Sequence, residues 1–297
     1  MVNKMRIGLV ILNYNDKKTV IDYVNNICSY NSIDKIVIVD NASTDGSYEE
    51  LCKIRNNKID VIKTDSNGGY ASGNNVGVRY LINNYSSEYI IVSNPDVCFT
   101  ENIITEMIAC LEERADAGIV ACRMNCLSAI HLPVAWKLPT YIDCLFQDSF
   151  IIKRLIGDRT EYKYLDLWGD VCKVDVLPGS LFAIRSSVFN EVGGFDESTF
   201  LYYEENILAF KLKAIGKINY LINKLEYNHY HSVSINKSIA SVKKRLDLSF
   251  ESRELYCRKY LRCNEVQISL MKVFHFWGTS NYLAYNGIKE WLKNIVS

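Results

Sequence analysis

Three short segments hold residue types able to grip an anionic or sugar-like ligand. In Val39-Asp40-Asn41-Ala42-Ser43-Thr44-Asp45-Gly46-Ser47 a carboxylate stands where a β-branched run ends. There it can accept hydrogen bonds from a base N–H or a ribose hydroxyl; a plain turn with a helix N-cap accounts for the same residues. In Asn67-Gly68-Gly69-Tyr70-Ala71-Ser72-Gly73-Asn74-Asn75-Val76-Gly77 the glycines and asparagines let backbone N–H groups approach a ligand at a helix start. A flexible turn is the competing reading, and the segment is neither a dinucleotide fingerprint nor a P-loop. In Ser93-Asn94-Pro95-Asp96-Val97, Asp96 follows an apolar run. It can hold a hard divalent cation that bridges to phosphate oxygens, or close an ordinary turn. His229 and His231 alternate, so they share a face wherever a strand persists, although a structural His is the default reading of either.

The elements that must position these residues follow from periodicity. Ile7 to Leu12, Lys35 to Asp40, Asp60 to Lys63 and Tyr89 to Ser93 read as strands, separated by helical patterns over Asp16 to Tyr30, Ser47 to Arg55 and Tyr70 to Asn84. This order predicts an α/β fold, with a mostly parallel sheet covered by helices and ligands bound beyond the carboxyl ends of its strands. Cys126 to Lys173 shows weak periodicity and reads as loops and short helices. Beyond it come Val174 to Arg185, a helix from Ser186, a helix from Tyr203 to Ile215, and two strands, Ile218 to Ile222 and Glu226 to Tyr230. Residues 237 to 296 read as helices. The division expected is one domain over 1–235, in two parts meeting at about 125 and 126, followed by a helical extension over 236–297.

Composition narrows the class. Of 297 residues 48% are hydrophobic and 23% charged, so a large core is available, and Lys plus Arg equals Asp plus Glu at 34 each, which gives no reason to expect a nucleic-acid partner. The balance is uneven along the chain: residues 236–297 hold 11 basic against 5 acidic side chains. Ten scattered cysteines without a C-x-x-C pair or a leader segment suggest reduced thiols and a cytoplasmic location. No apolar run approaches the roughly 18 residues needed to span a bilayer.

Taken together, Asn13-Tyr14-Asn15, the Asp40 segment, the Asn67 segment and Asn94-Pro95-Asp96 resemble the inverting glycosyltransferases of family 2, in particular their bacterial rhamnosyltransferase-like branch. The resemblance covers about residues 5 to 234, and it makes the part to about 125 the donor side and the part from 126 the acceptor side. It implies a GT-A fold, a nucleotide-sugar donor and a divalent cation, Mg or Mn. It places Asn13, Asn15, Asp40, Asn41, Asn67, Gly68, Gly69, Asn74, Asn75 and Asn94 on the donor and Asp96 at the metal and diphosphate, with Asn94 where relatives carry a first acid. It makes Leu177-Pro178-Gly179-Ser180 an acceptor-side segment, with Gly179 and Ser180 at the acceptor. Phe200 to Leu208 then corresponds to the stretch that supplies the catalytic base, which assigns Glu205, with Glu204 next, and puts Ile207 where many relatives have another acid. His229 is the preferred histidine at the metal and diphosphate, with His231 after it.

The expectation is transfer of a sugar from a nucleotide-sugar donor to a saccharide acceptor with inversion, the base taking the acceptor proton. The resemblance names dTDP-rhamnose as first donor and UDP-hexoses next. Its acceptor is a growing O-antigen or capsule-type polysaccharide, on a polyprenyl diphosphate carrier. The basic, aromatic tail suggests either docking on an anionic membrane surface, peripheral on the inner face of the cytoplasmic membrane, or a homodimer through its helices. Two rivals remain at this stage. One is a nucleotide-sugar-binding protein without catalysis, motivated by Asn94, Glu205 and Ile207. The other is a nucleotidyltransferase, disfavoured because Leu12 to Asp16 lacks a Gly-rich basic loop.

Overall fold

The computed structural model describes residues 6–127, 133–149, 152, 154–155, 157–163, 167–230 and 241–296, the last eleven by backbone alone. The first half alternates as the periodicity requires: β1 (Ile7–Asn13), α1 (Lys17–Ile27), β2 (Lys35–Asp40), α2 (Ser47–Cys52), β3 (Ile59–Lys63), α3 (Gly69–Tyr85) and β4 (Tyr89–Ser93). These four strands are parallel, in the order β3-β2-β1-β4. Every residue of β2 and β4 is buried, as a strand covered on both faces demands.

The chain continues through β5 (Val97–Cys98), α4 (Glu101–Glu113), β6 (Ala117–Cys126), α5 (Tyr141–Phe146), β7 (Val171–Val174), β8 (Leu181–Arg185), α6 (Ser186–Glu191), α7 (Glu204–Ala214) and β9 (Ile218–His229). The sheet extends as β4-β8-β6-β9-β5, and β7 also pairs with β9. β8 runs antiparallel to β4 and β6, while β6 and β9 are parallel. The reading above gives no element to 97–125, which the fold fills with β5, α4 and β6. It also splits β9 into two strands. Asn223, Lys224 and Leu225 instead carry one strand through, and a register shift against Cys122 and Arg123 absorbs the extra residues.

Side-chain alternation divides the core. Leu9, Ile11, Ile36 and Ile38 face α1 and α4 on one side, where they meet Val20, Val24, Ile104 and Met107. Val10, Val37, Val39 and Val92 face the other side, toward Val78 and Leu81 of α3 and Leu208 and Leu212 of α7. Each of these fully buried aliphatic side chains contributes roughly 2 kcal/mol of burial free energy.

A third apolar cluster lies off the sheet. Two helices, α8 (Val242–Lys259) and α9 (Glu265–Val296), pack Phe250, Tyr256, Cys257, Ile268 and Met271 on Cys144 and Leu145 of α5 and on Tyr203 and Ile207. Within it Arg253 is 2% exposed and donates to Asp148, whose carboxylate also meets His275 Nδ1 at 2.7 Å. All ten cysteines are free thiols. No helix among the described residues is long and apolar enough to cross a membrane.

Candidate active site

The carboxyl ends of β1, β2 and β4 open into a cleft of about 1140 Å³ whose far wall is the turn before α7, with α5 and α8 beside it. The end of the cleft nearest β1 and β2 is built by side chains that hold one another. Asn13 Nδ2 donates to Asp40 Oδ2 at 2.8 Å and to Ser43 Oγ at 3.1 Å, and Asp40 Oδ1 accepts from the Ser43 N–H at 3.0 Å. Asp40 is fully buried, so Asn13 and not the carboxylate reaches the cleft wall. Asn41 Nδ2 donates to Asn67 Oδ1 at 2.9 Å and to the Gly69 carbonyl at 3.1 Å, which draws the loops after β2 and β3 together.

Gly69 shows why a glycine opens α3. Its φ is +82°, and a Cβ there would lie 2.0 Å from the Phe200 carbonyl oxygen. That carbonyl accepts from the Tyr70 N–H at 3.0 Å. The loop before α3 is thereby joined to the turn that carries Glu204 and Glu205. Tyr70 makes a second link, its hydroxyl donating to the Gly179 carbonyl at 2.6 Å, and the Gly179 N–H in turn donates to Glu205 Oε1 at 3.3 Å. A Cβ on Gly179 would sit 2.8 Å from that same Glu205 oxygen, so the close approach depends on glycine.

The acids differ in environment although they are adjacent. The turn before them holds Tyr202 and Tyr203 at φ +73° and +68°, two consecutive non-glycine residues in the left-handed region, a cost of order 1–2 kcal/mol each that the surrounding packing must offset. Glu204 is buried, and its Oε1 has no hydrogen-bond partner among the described residues. Burial, with Glu205 beside it, pushes its carboxyl well above the usual carboxylate range. Burial raises Glu205 too; backbone N–H donation opposes the rise in both, from Glu204 and Tyr202 to Glu204 and from Glu205 and Gly179 to Glu205. Of the two, Glu204 is pushed up further than Glu205.

Across the cleft, antiparallel pairing of β5 with β9 sets Val97 opposite His229, and the Tyr230 N–H donates to the Asp96 carbonyl. His229 Nε2 lies 3.2 Å from Asp96 Oδ1, both side chains being buried at the cleft wall. Ser180 Oγ lies 2.7 Å from the Tyr227 hydroxyl, and its carbonyl accepts from the Asn94 N–H at 2.8 Å, so the segment after β4 is held against the start of β8.

One cleft thus holds Asn13, Asn41, Asn67, Gly69 and Asn94 with Asp96, His229, Gly179, Ser180, Glu204 and Glu205. Asn15, Asp40, Gly68, Asn74 and Asn75 do not line it. Asn75 spends its amide on the turn before α7, bonding the Phe195 backbone through both N–H and carbonyl and meeting Glu197 Oε1 at 2.9 Å. Asn74 Nδ2 bonds back to the Tyr70 carbonyl, and Asn15 is tied to Ser43 and Thr44. His231 lies outside the described residues. Ile207 belongs to the third apolar cluster, which accounts for a hydrocarbon at that position. The cleft also takes in Trp136, whose Nε1 donates to Asn206 Oδ1 at 2.8 Å, with Phe146, Arg159 and Lys244. Trp136, Phe146 and Arg159 come from the aperiodic stretch Cys126 to Lys173, which singles out none of them, and Lys244 from the basic helical extension, which the sequence ties to a surface and not to this cleft.

Comparison with known proteins then decides the family, because residues 9–157 match Glycosyl transferase family 2. The chain belongs to glycosyltransferase family 2. It is 28% identical over 207 residues to the low-salt glycan biosynthesis hexosyltransferase Agl10 of Haloferax volcanii, a match covering 70% of this chain and 61% of that one. To the rhamnosyltransferase WbbL of Escherichia coli K12 it is 26% identical over 215 residues, 70% of this chain and 77% of the relative. To an N-acetylglucosaminyl-diphospho-decaprenol L-rhamnosyltransferase of Mycobacterium tuberculosis it is 24% identical over 220 residues, 69% of each. The chain thus spans about three fifths of the Haloferax relative. Among solved structures, GalNAc-T7 with UDP, GalNAc and Mn2+ superposes with a TM-score of 0.58 at 15% identity, over 88% of this chain and 50% of that one. Staphylococcus aureus TarS 1–349 with UDP gives 0.54 at 13%, over 91% and 70%. The fold of this family 2 chain is GT-A.

Proposed function

We propose that this chain is an inverting glycosyltransferase that moves a sugar from a nucleotide-sugar donor to a saccharide hydroxyl. The observation that carries the reading is the placement of Asp96 with His229 and of Glu204 with Glu205 in a single cleft. A base on one side of a donor and a diphosphate anchor on the other are what a single displacement needs, and a single displacement inverts the anomeric centre.

A divalent cation fits the donor set. The described cleft wall presents seven carboxyl groups against two fixed cations, Arg159 and Lys244, a field that repels a bare diphosphate. Asp96 and His229 offer one oxygen and one nitrogen on adjacent strands. Mg or Mn held by so few protein ligands takes the rest of its shell from phosphate and water. When bound, the ion neutralises charge that develops on the departing diphosphate. Among the described residues no group of three or more His, Cys, Asp or Glu could hold a metal ion, so Asp96 and His229 would hold it only together with the substrate.

The remaining work belongs to the chain. Asn13, Asn41 and Asn67 fix the loops against which the nucleoside lies. Glu205 accepts the acceptor hydroxyl proton as oxygen attacks the anomeric carbon and the bond to the diphosphate breaks. The Gly179 N–H orients that carboxylate. The names of two relatives support rhamnose as the transferred sugar, with dTDP-rhamnose the first donor to try, and the Haloferax relative's name supports a hexose, with a UDP-hexose next. The name of the mycobacterial relative supports a saccharide acceptor on a polyprenyl diphosphate.

Thermal shift against a panel of nucleotide sugars, with and without Mg or Mn, followed by a transfer assay with the donor that binds, tests this reading. Asp96→Ala is expected to raise the half-saturating metal concentration about 10-fold or more, the scale on which metal-site changes act. A donor that binds without transfer or hydrolysis favours a binding protein instead, and no donor binding at all ends the proposal.

A further inference from the structure

Helix α9 is apolar on two opposite faces. One packs on the body through Ile268 and Met271, each 1% exposed, with His275 and Thr279 below them. The other presents Val266 (77% exposed), Leu270, Val273 (63%) and Trp277 to solvent, with Phe276 (75%) beside them. Their spacing of four, three and four residues is the seam of a helix that packs against another helix. No charged residue interrupts it: Ser269, Ser280 and Ala284 continue the face. The exposed apolar area of these five side chains is roughly 600 Å², at the top of what a monomer leaves in one patch and most of the ~800 Å² each partner brings to a stable interface.

We propose that this face pairs antiparallel with α9 of a second copy of the chain. About a two-fold axis between Leu270 and Val273, Val266 meets Trp277 of the second copy and Leu270 meets its Val273, so small side chains face large ones and both halves of the contact are identical. A membrane surface is the weaker occupant. Helices that lie in a bilayer interface carry Lys or Arg along the flanks of the apolar face. Here the described flank holds Lys272, which pairs with Glu254, while Arg258 and Lys259 at the adjoining end of α8 pair with Glu254, Glu265 and Asp196.

Sedimentation velocity on the full chain tests the pairing over a range reaching about 50 μM, since association depends on concentration. The expected result is an apparent mass 2-fold the 34.1 kDa of one chain, falling to one chain mass in Leu270→Glu/Val273→Glu with unchanged far-UV circular dichroism. Val273→Ser serves if the double variant misfolds, with the expected result a weakened dimer. A wild type of single mass throughout that range overturns the proposal, as does a variant that still dimerises. A monomeric wild type that floats with anionic vesicles while the variant does not reassigns the face to a membrane.

Discussion

At the scale of single residues, burial raises two neighbouring glutamates to different extents. Glu205→Gln is expected to lower kcat by about 10² to 10⁴, the usual worth of a general base, while donor affinity measured by calorimetry changes less than 2-fold. Because Glu205 is raised above the ordinary carboxylate range, its base form is lost as pH falls through that raised value. The acid limb of kcat/KM should therefore lie above ~4.3, the free glutamate value, and should vanish from the residual activity of the Gln variant. Glu204 makes a separate prediction about stability. The folded chain keeps a proton that the unfolded chain releases near pH ~4.3, so stability is whole below that pH and declines as pH rises toward the folded-state value. Glu204→Gln should flatten this decline in urea titrations run between pH 5 and about 8. Sequence could bring both acids to notice by resemblance, but not separate them, because only burial and the Gly179 N–H distinguish two adjacent carboxylates. The same holds for Asn75: its amide fits a ligand as well as a turn, and what claims it is the Phe195 backbone, 120 residues away in sequence.

At the scale of elements, the loop before α3 and the turn before α7 meet at one carbonyl. Gly69→Ala combines a left-handed backbone with a clash against Phe200 and is expected to cost about 2–4 kcal/mol, read from denaturant midpoints, with donor affinity lost in whatever folds. Most of the first half of the fold is legible in sequence because β1, β2 and β4 are short apolar runs between turn residues. Helix α4 was equally legible, since Ile103, Ile104, Met107, Ile108 and Leu111 fall on one face, yet it received no element. Helix α5 is six residues long, below the length at which periodicity speaks. The wall it builds with Trp136 and Arg159 had no sequence signature to find.

At the scale of the whole molecule, α8 and α9 close the third apolar cluster behind the acids. Ser252 Oγ donates to the Leu201 carbonyl at 2.8 Å, and Tyr256 packs on Tyr203, so the strained turn is backed by helices from the far end of the chain. Arg253→Ala removes a buried partner of Asp148 and is expected to destabilise the chain by on the order of 3 kcal/mol in chemical denaturation. Activity should fall with the folded fraction, leaving the donor KM of the surviving enzyme near wild type.

The bond from the Tyr70 N–H to the Phe200 carbonyl also governs traffic. That margin of the cleft is stitched by main chain, so with the function proposed above the expected path for nucleotide and product runs past α5 and the first turns of α8, which line the other side. Bulk added along that rim, at Ile142 or Leu248, would throttle exit while leaving the chemical step intact.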